Sequence, residues 1–487
     1  MGLNSLHFII QFVVLMLVMS VLQFIRNRRW TIAIRRSQII ILLVYSYFFV
    51  ASVDYRFAIC IGGVTLVAYF GGLLIDRYNQ ANSLSVARIV LVLLCIVLLA
   101  TLGYFKYTNF FIDSFNSILG LQIGTLNIVL PIGISFFTFS ALSYLIDVYR
   151  ASIKVEKNVI DFALYMAFFP KITAGPIVRW SDFASQVKEY KGVTLAGLND
   201  GIQIFVFGLF KKMVLADHLG VFVDNVFYAP SAYNTGTLVL SAISYSLQIY
   251  LDFSGYSDMA IGLAKMLGFD FKANFNLPYI ARGFSDFWAR WHISLSSWFK
   301  DYLYIPLGGS RKGSARTYTN LMIVMLVSGL WHGAGWTFVI WGLLHGIASC
   351  ITRAIKNYRK SRAIVVTKAV RVIEVVITYV FITLFWTVFR ADSISNMMDY
   401  LKALFTAHNG ISQPYTWTFV SLFFVIVAAV IAFVRNRKES KDSSRVDGFY
   451  PVLDLSKIWA LILFFTFCGL TLLLGYYGNT AFIYGQF

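Results

Sequence analysis

Two histidines lie within segments that are otherwise apolar or aromatic. His332 occurs in the stretch SGLWHGAGW, about fourteen residues into an apolar run that begins near Thr319. At 1.5 Å per residue, a helix would place it roughly 20 Å from the start of that run. An ionisable side chain is costly at such a depth, so we expect His332 to face a cavity and to serve a function. The alternative is a neutral histidine that donates one hydrogen bond between helices.

His292 lies in a second segment, where aromatic residues recur at helical spacing. Read as a single helix, this segment places His292 on an aromatic stripe and polar side chains on another face. The stripe comprises Trp288, Trp291, His292, Leu295, Phe299 and Tyr302, and the polar face comprises Asp286, Arg290, Ser294, Ser297 and Asp301. An imidazole on this stripe could face a ligand or could belong to the core. His345, near a predicted helix end, is expected to be structural.

Imidazole can take and return a proton near neutral pH, so two buried histidines could activate a hydroxyl group for attack on an acyl group. The sequence has no GxSxG motif. The four cysteines lie far apart in apolar runs, at Cys60, Cys95, Cys350 and Cys468. Direct transfer between two bound substrates is therefore favoured over an acyl-enzyme. No Cys/His spacing predicts a metal site.

The composition indicates which elements hold these histidines. The chain has 487 residues, of which 58% are hydrophobic and 13% are charged, and its mean hydropathy is +0.70. A soluble protein carries about 25% charged residues, so this chain is expected to reside in a bilayer. The 41 basic and 23 acidic residues give a net charge of +18. The basic residues lie mainly between apolar runs, which argues against nucleic-acid binding.

The apolar runs predict an all-α polytopic membrane protein with about twelve spans. Leu6 to Ile25 is read as an uncleaved first span, because its basic cluster follows rather than precedes it. The positive-inside rule then places both termini outside the cytoplasm. The remaining spans are predicted near 38–53, 57–75, 86–105, 126–149, 201–228, 235–253, 319–335, 336–351, 371–390, 417–434 and 458–475.

Two segments do not read as simple spans. Residues 159–180 are apolar but broken by prolines and a glycine, as in re-entrant segments. Residues 257–310 are amphipathic and are expected at the cytoplasmic boundary, or dipping into the protein from there. No internal repeat or soluble domain is evident. We therefore expect one membrane-embedded domain over 1–487, with its catalytic core segments within 159–345.

The glycine-rich basic loop 308–313, GGSRKG, does not match a phosphate-binding P-loop. It is predicted on the cytoplasmic side, where it could meet an anionic nucleotide. The alternative is a solvated turn that obeys the positive-inside rule.

Several longer motifs, in order, resemble the membrane-bound O-acyltransferase superfamily, and most closely its AlgI-like branch, the membrane component of alginate O-acetylation. They are FPKITAGPI at 169–177, YLDFSGYSD at 250–258, NFNLPY at 274–279, FWARWHISLS at 287–296, DYLYIPLGG at 301–309 and GLWHG at 329–333. The resemblance implies that His332 is catalytic and that His292 is the second histidine of the site. It also implies a ring of helices around a thinned centre, where a funnel from each side meets.

In that branch, a cytoplasmic donor, expected to be acetyl-CoA rather than a permanently bound cofactor, gives its acyl group to an exported partner. The resemblance thus implies a bacterial cytoplasmic membrane protein, an extracytoplasmic SGNH-type transferase or acyl acceptor protein, and a cell-surface polysaccharide. By charge and predicted side, the donor phosphates could meet Arg282, Arg290, Lys300, Arg311 and Lys312. Further substrate-binding or donor-binding candidates within the motifs are Trp288, Trp331, Asp258 and Asn274.

Three alternatives remain open. The related DltB-like branch transfers D-alanine to teichoic acids, although the LYIPLGG stretch at 303–309 looks more like the acetylating branch. Acylation of a lipid or a protein within the same superfamily is the second. The third is a glycan or lipid transporter with structural histidines. Acidic pairs buried in the spans would favour a transporter, and the sequence analysis identifies none.

Overall fold

The computed structural model describes residues 2–28, 31–407, 409–438, 452–478 and 483. Both chain ends lie outside these ranges, as do parts of the basic segment 435–445. Within the described residues the chain is helical, and extended pairing is limited to a single bridge between Tyr233 and Ile411. The prediction of an all-α polytopic membrane protein is confirmed.

The α-helices are α1 (Leu6–Arg28), α2 (Thr31–Ala51), α3 (Tyr55–Gln80), α4 (Leu84–Leu119), α5 (Ile134–Tyr149), α6 (Val159–Ala167), α7 (Phe169–Ile172), α8 (Trp180–Lys188), α9 (Leu195–Phe210), α10 (Asp217–Tyr228), α11 (Thr235–Met266), α12 (Phe284–Arg290), α13 (Ile293–Phe299), α14 (Gly313–His332), α15 (Trp336–Ser361), α16 (Lys368–Arg390), α17 (Ile394–Phe405), α18 (Thr416–Lys438) and α19 (Ile458–Leu474). Two π-helical segments, Lys211–Ala216 and Lys300–Tyr304, and two 3₁₀ turns, Pro230–Ala232 and Pro278–Ile280, complete the order.

Six of these helices are long and apolar enough to cross a membrane, namely α1, α2, α3, α4, α15 and α16. Each coincides with a predicted span. Shorter apolar helices lie at Ile134–Tyr149, Thr416–Ile431 and Ile458–Leu474, where three more spans were predicted. The last three predictions, near 201–228, 235–253 and 319–335, fall on helices that carry polar or ionisable side chains in their apolar runs.

The chain divides into two compact units. The first comprises residues 1–205 and 260–271, and it contains the segment predicted to be re-entrant. There α6 ends at Ala167, Phe168 separates the two helices, and α7 contains Pro170 near its start. The segment is buried, and Phe168, Phe169 and Ala174 have no exposed surface. Broken backbone at membrane depth is tolerated where protein surrounds it.

A neighbouring glycine makes this close packing possible. Gly133 has a φ of +74°, and a Cβ atom there would lie 1.9 Å from the carbonyl oxygen of Ile172. Glycine adopts this conformation without strain, and a residue with a Cβ atom could not accept this contact. Substitution of Gly133 would therefore displace α7.

The longest helix of the first unit is α4, which has 36 residues. The extended segment after it is fastened to the last turns of α4 by two asparagines. Asn109 exchanges two hydrogen bonds of 2.9 Å with the backbone of Leu126, and Asn116 does the same with Ile123 at 2.8 and 2.9 Å. These side chains satisfy backbone groups that would otherwise need water.

The second unit comprises residues 206–259 and 272–487 and contains both predicted catalytic histidines. It includes the hairpin of α14 and α15, whose helices approach each other closely. A Cβ atom on Gly329 would lie 2.3 Å from the carbonyl oxygen of Phe338. The backbones of the two helices also meet where Gly329 of α14 faces Gly342 of α15. Small residues at a helix interface allow the backbones to approach in this way.

Candidate active site

His332 is the last residue of α14, where the α14–α15 hairpin turns. The connection is short because α15 begins at Trp336. Gly333 is required in this turn, since a Cβ atom there would lie 2.1 Å from the Phe338 ring. The glycines of the GLWHGAG stretch therefore allow the hairpin to close tightly around the histidine.

The His332 imidazole is 2% exposed and is enclosed by aromatic rings. Its centroid lies 5.0 Å from that of Trp331, 5.1 Å from Trp341 and 5.6 Å from Phe389, each in an edge-to-face arrangement. These rings fix the orientation of the imidazole by packing. His332 is therefore buried, as its position in the apolar run predicts, whereas its facing a cavity and its catalytic role stay predictions.

His292 lies at a break between two short helices, so the prediction of one continuous helix through 286–302 is wrong. Helix α12 ends at Arg290, and His292 itself, with φ 44° and ψ 55°, precedes the first residue of α13. The physical reason is pairing with the segment before α12. The Ile293 N–H donates to the Asn274 carbonyl at 2.9 Å, and the Asn276 N–H donates to the Arg290 carbonyl at 2.9 Å.

A non-glycine residue in this left-handed conformation is uncommon and strained. The surrounding contacts hold it there. His292 is fully buried, and its ring packs edge-on against Phe253 at 4.7 Å. The position of the imidazole thus depends on the left-handed backbone of His292 and on the hydrogen bonds that hold it, and not on the periodicity of one helix.

The side chain of Asn274 fixes the tautomer of His292. The Ser294 N–H donates to Asn274 Oδ1 at 3.2 Å, and the Asn274 amide group donates to Ser257 Oγ at 3.3 Å. Since a backbone N–H can only donate, Oδ1 must be the atom that faces Ser294 and His292. The 3.2 Å contact between Oδ1 and His292 Nδ1 then requires the proton on Nδ1. The lone pair of the neutral ring is on Nε2, and burial lowers the pKa of His292, which favours this neutral form.

The two histidines share a neighbour. The Trp331 ring lies 5.9 Å from His292 and 5.0 Å from His332. The structure thus brings His292, His332, Trp331 and Asn274 of the predicted site together. A reactive group near Trp331 would therefore meet two imidazoles. The His332 ring is oriented by packing between helices, and the His292 ring presents its lone pair on Nε2.

The other predicted binding residues are divided between the interior and the surface. Trp288 is buried against Trp341 and His345, at 5.8 and 5.2 Å between ring centroids. Asp258 is buried and paired with the ammonium group of Lys211. Arg290 is half-buried, and its Nε donates to Asp286 at 2.8 Å. Exposed side chains are those of Arg282, Lys300, Arg311 and Lys312. The structure does not gather the basic side chains around the histidines.

The loop 308–313 is a hydrogen-bonded turn. The backbone N–H groups of Gly308 and Gly309 donate to the carbonyls of Ile305 and Tyr304 just before the loop, and that of Arg311 donates to the Gly308 carbonyl. Asn320 donates to the carbonyls of Leu307 and Gly309, at 3.3 and 3.0 Å. Three backbone N–H groups of this loop are therefore engaged in the turn, and the side chains of Arg311 and Lys312 are exposed. This geometry favours the solvated turn.

The structure contains a buried ionic network that was not predicted from the sequence. Lys212 pairs with Asp217 and with Asp252, at 2.7 Å each, and all three side chains are at most 5% exposed. Lys211 donates to Ser254 at 3.1 Å and pairs with Asp258. The expectation that no acidic side chains are paired within the spans is wrong. Two consecutive lysines within the apolar run 201–228 were the feature that could have revealed it.

Each carboxylate of this network has a lysine partner, but two lysines face three carboxylates, so one negative charge is left over when all five groups are ionised. Both lysines belong to the π-helical segment Lys211–Ala216, a local deviation that is frequent near functional sites. The pair of Lys211 and Asp258 also lines a small cavity with Tyr250 and Phe275. Ser257, next to Asp258, accepts the hydrogen bond from Asn274, so the network borders the support of His292.

The model of the membrane-bound O-acyltransferase family matches residues 149–395, which include both histidines. The chain belongs to this family and is an O-acyltransferase. Among similar proteins, the probable alginate O-acetylase AlgI of Pseudomonas aeruginosa is 42% identical over 76% of this chain and 70% of its own length. The peptidoglycan O-acetyltransferase of Helicobacter pylori is 38% identical over 76% and 74%. A teichoic acid D-alanyltransferase of Streptococcus thermophilus is more distant, at 30% over 49% and 60%.

Proposed function

We propose that this O-acyltransferase moves an acetyl group from a cytoplasmic thioester, acetyl-CoA, to an extracytoplasmic acceptor that O-acetylates a cell-surface polysaccharide. The observation that carries the proposal is the pair of buried histidines, His292 and His332, which both contact the Trp331 ring. The proteins named as alginate and peptidoglycan O-acetylating enzymes support the acyl group and the class of acceptor.

In the proposed reaction, His332 accepts the proton of the acceptor hydroxyl group as its oxygen attacks the thioester carbonyl. The carbon–oxygen bond forms, the carbon–sulfur bond breaks, and the thiolate leaves with the donor. The proton finally reaches this thiolate, so no other reactant is consumed. His292, with its lone pair on Nε2, orients the hydroxyl group or shares its proton.

The sidedness of the reaction follows from the predicted topology. The donor enters from the cytoplasm, and the acceptor approaches from the opposite face of the bacterial cytoplasmic membrane, with both termini on the acceptor side. The partner is proposed to be an SGNH-type transferase or acyl acceptor protein. Specificity for the polysaccharide would then be a property of that partner.

The test is release of ester-linked acids by mild base from the surface glycans of the native host, followed by mass spectrometry. The strains carry the wild-type protein, His332→Ala, or His7→Ala, in which an exposed histidine is replaced as a matched control. We expect acetate to fall to background in His332→Ala and to stay at the wild-type amount in His7→Ala.

Full acetate release by a His332→Ala strain with normal protein level would contradict the proposal. Loss of D-alanine with unchanged acetate would instead assign the protein to D-alanyl transfer. The related D-alanyltransferase makes this second outcome worth measuring in the same samples.

A further inference from the structure

A third histidine, His345, lies in the middle of α15 rather than near its end, where the sequence placed it. It is ten residues into a helix of 26 residues, within a candidate membrane span. It has no exposed surface. Neither Nδ1 nor Nε2 has a hydrogen-bond partner among the described residues.

Six aromatic rings surround this imidazole, with centroids between 4.6 and 6.3 Å from it. They belong to Phe284, Phe287, Trp288, Trp341, Phe385 and Trp386. A phenylalanine of similar size would fill this space by packing alone. A buried polar atom left without a partner costs about 1–3 kcal/mol, so the imidazole at this position calls for a polar partner that the surrounding side chains do not supply.

The position of His345 relative to His332 suggests what that partner does. Trp341 contacts both rings, with centroid distances of 5.1 Å to His332 and 4.6 Å to His345. The two imidazole centroids are therefore at most about 9.7 Å apart, the sum of these distances. Two water molecules joined by three hydrogen bonds of about 2.8 Å cover roughly 8 Å. A short file of water is thus sufficient to connect them.

The row of buried polar groups continues along the same helix. Trp341, His345 and Ser349 are spaced four residues apart, so they share a face of α15. All three are at most 2% exposed, and Trp341 Nε1 and Ser349 Oγ also lack a hydrogen-bond partner in the described part of the chain. The row leads toward the end of α15 that carries Arg359 and Lys360 in its last turn, which the positive-inside rule places in the cytoplasm.

We propose that His345 is a proton-relay residue, which receives through buried water the proton that His332 takes from the acceptor hydroxyl group and passes it toward the departing thiolate. This inference rests on the proposed function. The hydroxyl O–H bond breaks and an N–H bond forms on His332. Water carries the proton to one nitrogen of His345 while the other nitrogen releases its proton toward Ser349, and an S–H bond forms on the leaving thiol. His345 is then neutral in the opposite tautomer, and proton exchange with the buried water restores the starting tautomer.

The experiment uses inverted membrane vesicles from the native host, which expose the cytoplasmic face, and acetyl-CoA labelled in its acetyl group. The rate of label transfer to base-labile esters is measured against acetyl-CoA concentration. His345→Phe retains ring packing without a proton site, and His345→Ala leaves a space that free imidazole can enter. Phe385→Leu, in the same aromatic surround, is the matched control.

We expect His345→Phe to lower the maximal rate about 100-fold, the loss of one proton-transfer group, with an unchanged KM for acetyl-CoA. His345→Ala should lose a similar amount and regain at least about tenfold with added imidazole, whereas His345→Phe should not respond. Phe385→Leu should stay within about threefold of wild type.

A wild-type rate in His345→Phe overturns the inference, as does a loss in well-expressed His345→Ala that imidazole does not restore. If His345→Phe does not accumulate, His345→Gln, which is polar but cannot relay a proton by titration, takes its place with the same expected loss. The proposed function fails separately, and the relay with it, if the wild type transfers no more label than His332→Ala.

Discussion

The two candidate catalytic histidines are positioned in different ways. His332 ends a regular helix, and its place follows from glycine-mediated contact between α14 and α15. His292 occupies a strained junction that backbone hydrogen bonds to 274–276 hold in place. The first arrangement depends on the absence of side chains at the helix interface, and the second depends on particular polar groups. The two regions should therefore respond to different kinds of substitution.

The largest effect is expected from filling the contact in the hairpin. Gly329→Val would drive side-chain atoms into the Phe338 carbonyl, which lies 2.3 Å from the position of a Cβ atom. Overpacking of this kind costs about 1–3 kcal/mol or more. We expect loss of base-labile acetate to background and reduced protein in the membrane. Gly63→Val is the control, since nothing lies within 4 Å of a Cβ there; equal losses in both would refute this account.

A smaller effect is expected at the support of His292. Asn274→Ala removes the acceptor of His292 Nδ1 and of Ser294, which frees the tautomer and the ring orientation. Loss of such orienting partners typically lowers activity about 10–100-fold. The transfer rate should fall by this factor with an unchanged KM for acetyl-CoA. Asn276→Ala, whose contact with Arg290 uses the backbone, should remain near wild type, and a comparable loss there would contradict a specific role for Asn274.

The strained backbone at His292 should affect stability separately from activity. His292→Asn and His292→Val both remove the imidazole and should both abolish transfer. Asparagine tolerates the left-handed conformation, whereas a β-branched residue does not. His292→Val should therefore be about 1–2 kcal/mol less stable than His292→Asn, measured as a lower Tm of the detergent-solubilised proteins. Equal Tm values would mean that the junction relaxes at no cost.

The smallest effect is expected at the surface pair near this region. Arg290 and Asp286 are partly exposed and four residues apart on α12, and such pairs contribute about 0.3–0.5 kcal/mol. Arg290→Gln should leave Tm unchanged within about one degree. If Arg290 also meets donor phosphates, the KM for acetyl-CoA rises severalfold while the maximal rate stays constant. An unchanged KM would remove Arg290 from the donor-binding candidates.

The comparison also explains what the sequence could predict. The depth of His332 and the glycines beside it are local features of one apolar run, so the hairpin site could be inferred. The aromatic residues around His292 follow helical periodicity, so the sequence predicted one helix where the structure has a break between α12 and α13. The break is caused by hydrogen bonds to Asn274 and Asn276, which lie more than a dozen residues earlier and leave no periodic trace.

The buried ionic network was missed for a related reason. Lys212 pairs with Asp252, 40 residues along the chain, and such a partner is identified only once α11 is packed. The consecutive lysines indicated that partners must exist but not which ones. Helix content and the six spans that coincide with long apolar helices depend on composition within one segment, and these predictions were confirmed.

The length of α4 gives an independent means of determining orientation. Its 36 residues extend about 54 Å at 1.5 Å each, whereas a hydrocarbon core is about 30 Å thick. A substantial part of the helix, together with the asparagine-fastened segment after it, therefore extends beyond the lipid tails. A cysteine introduced at the exposed Ser117 would react with an impermeant maleimide in intact cells only if this end faces outward. The helix thus serves as a topological reporter that needs no knowledge of the acceptor.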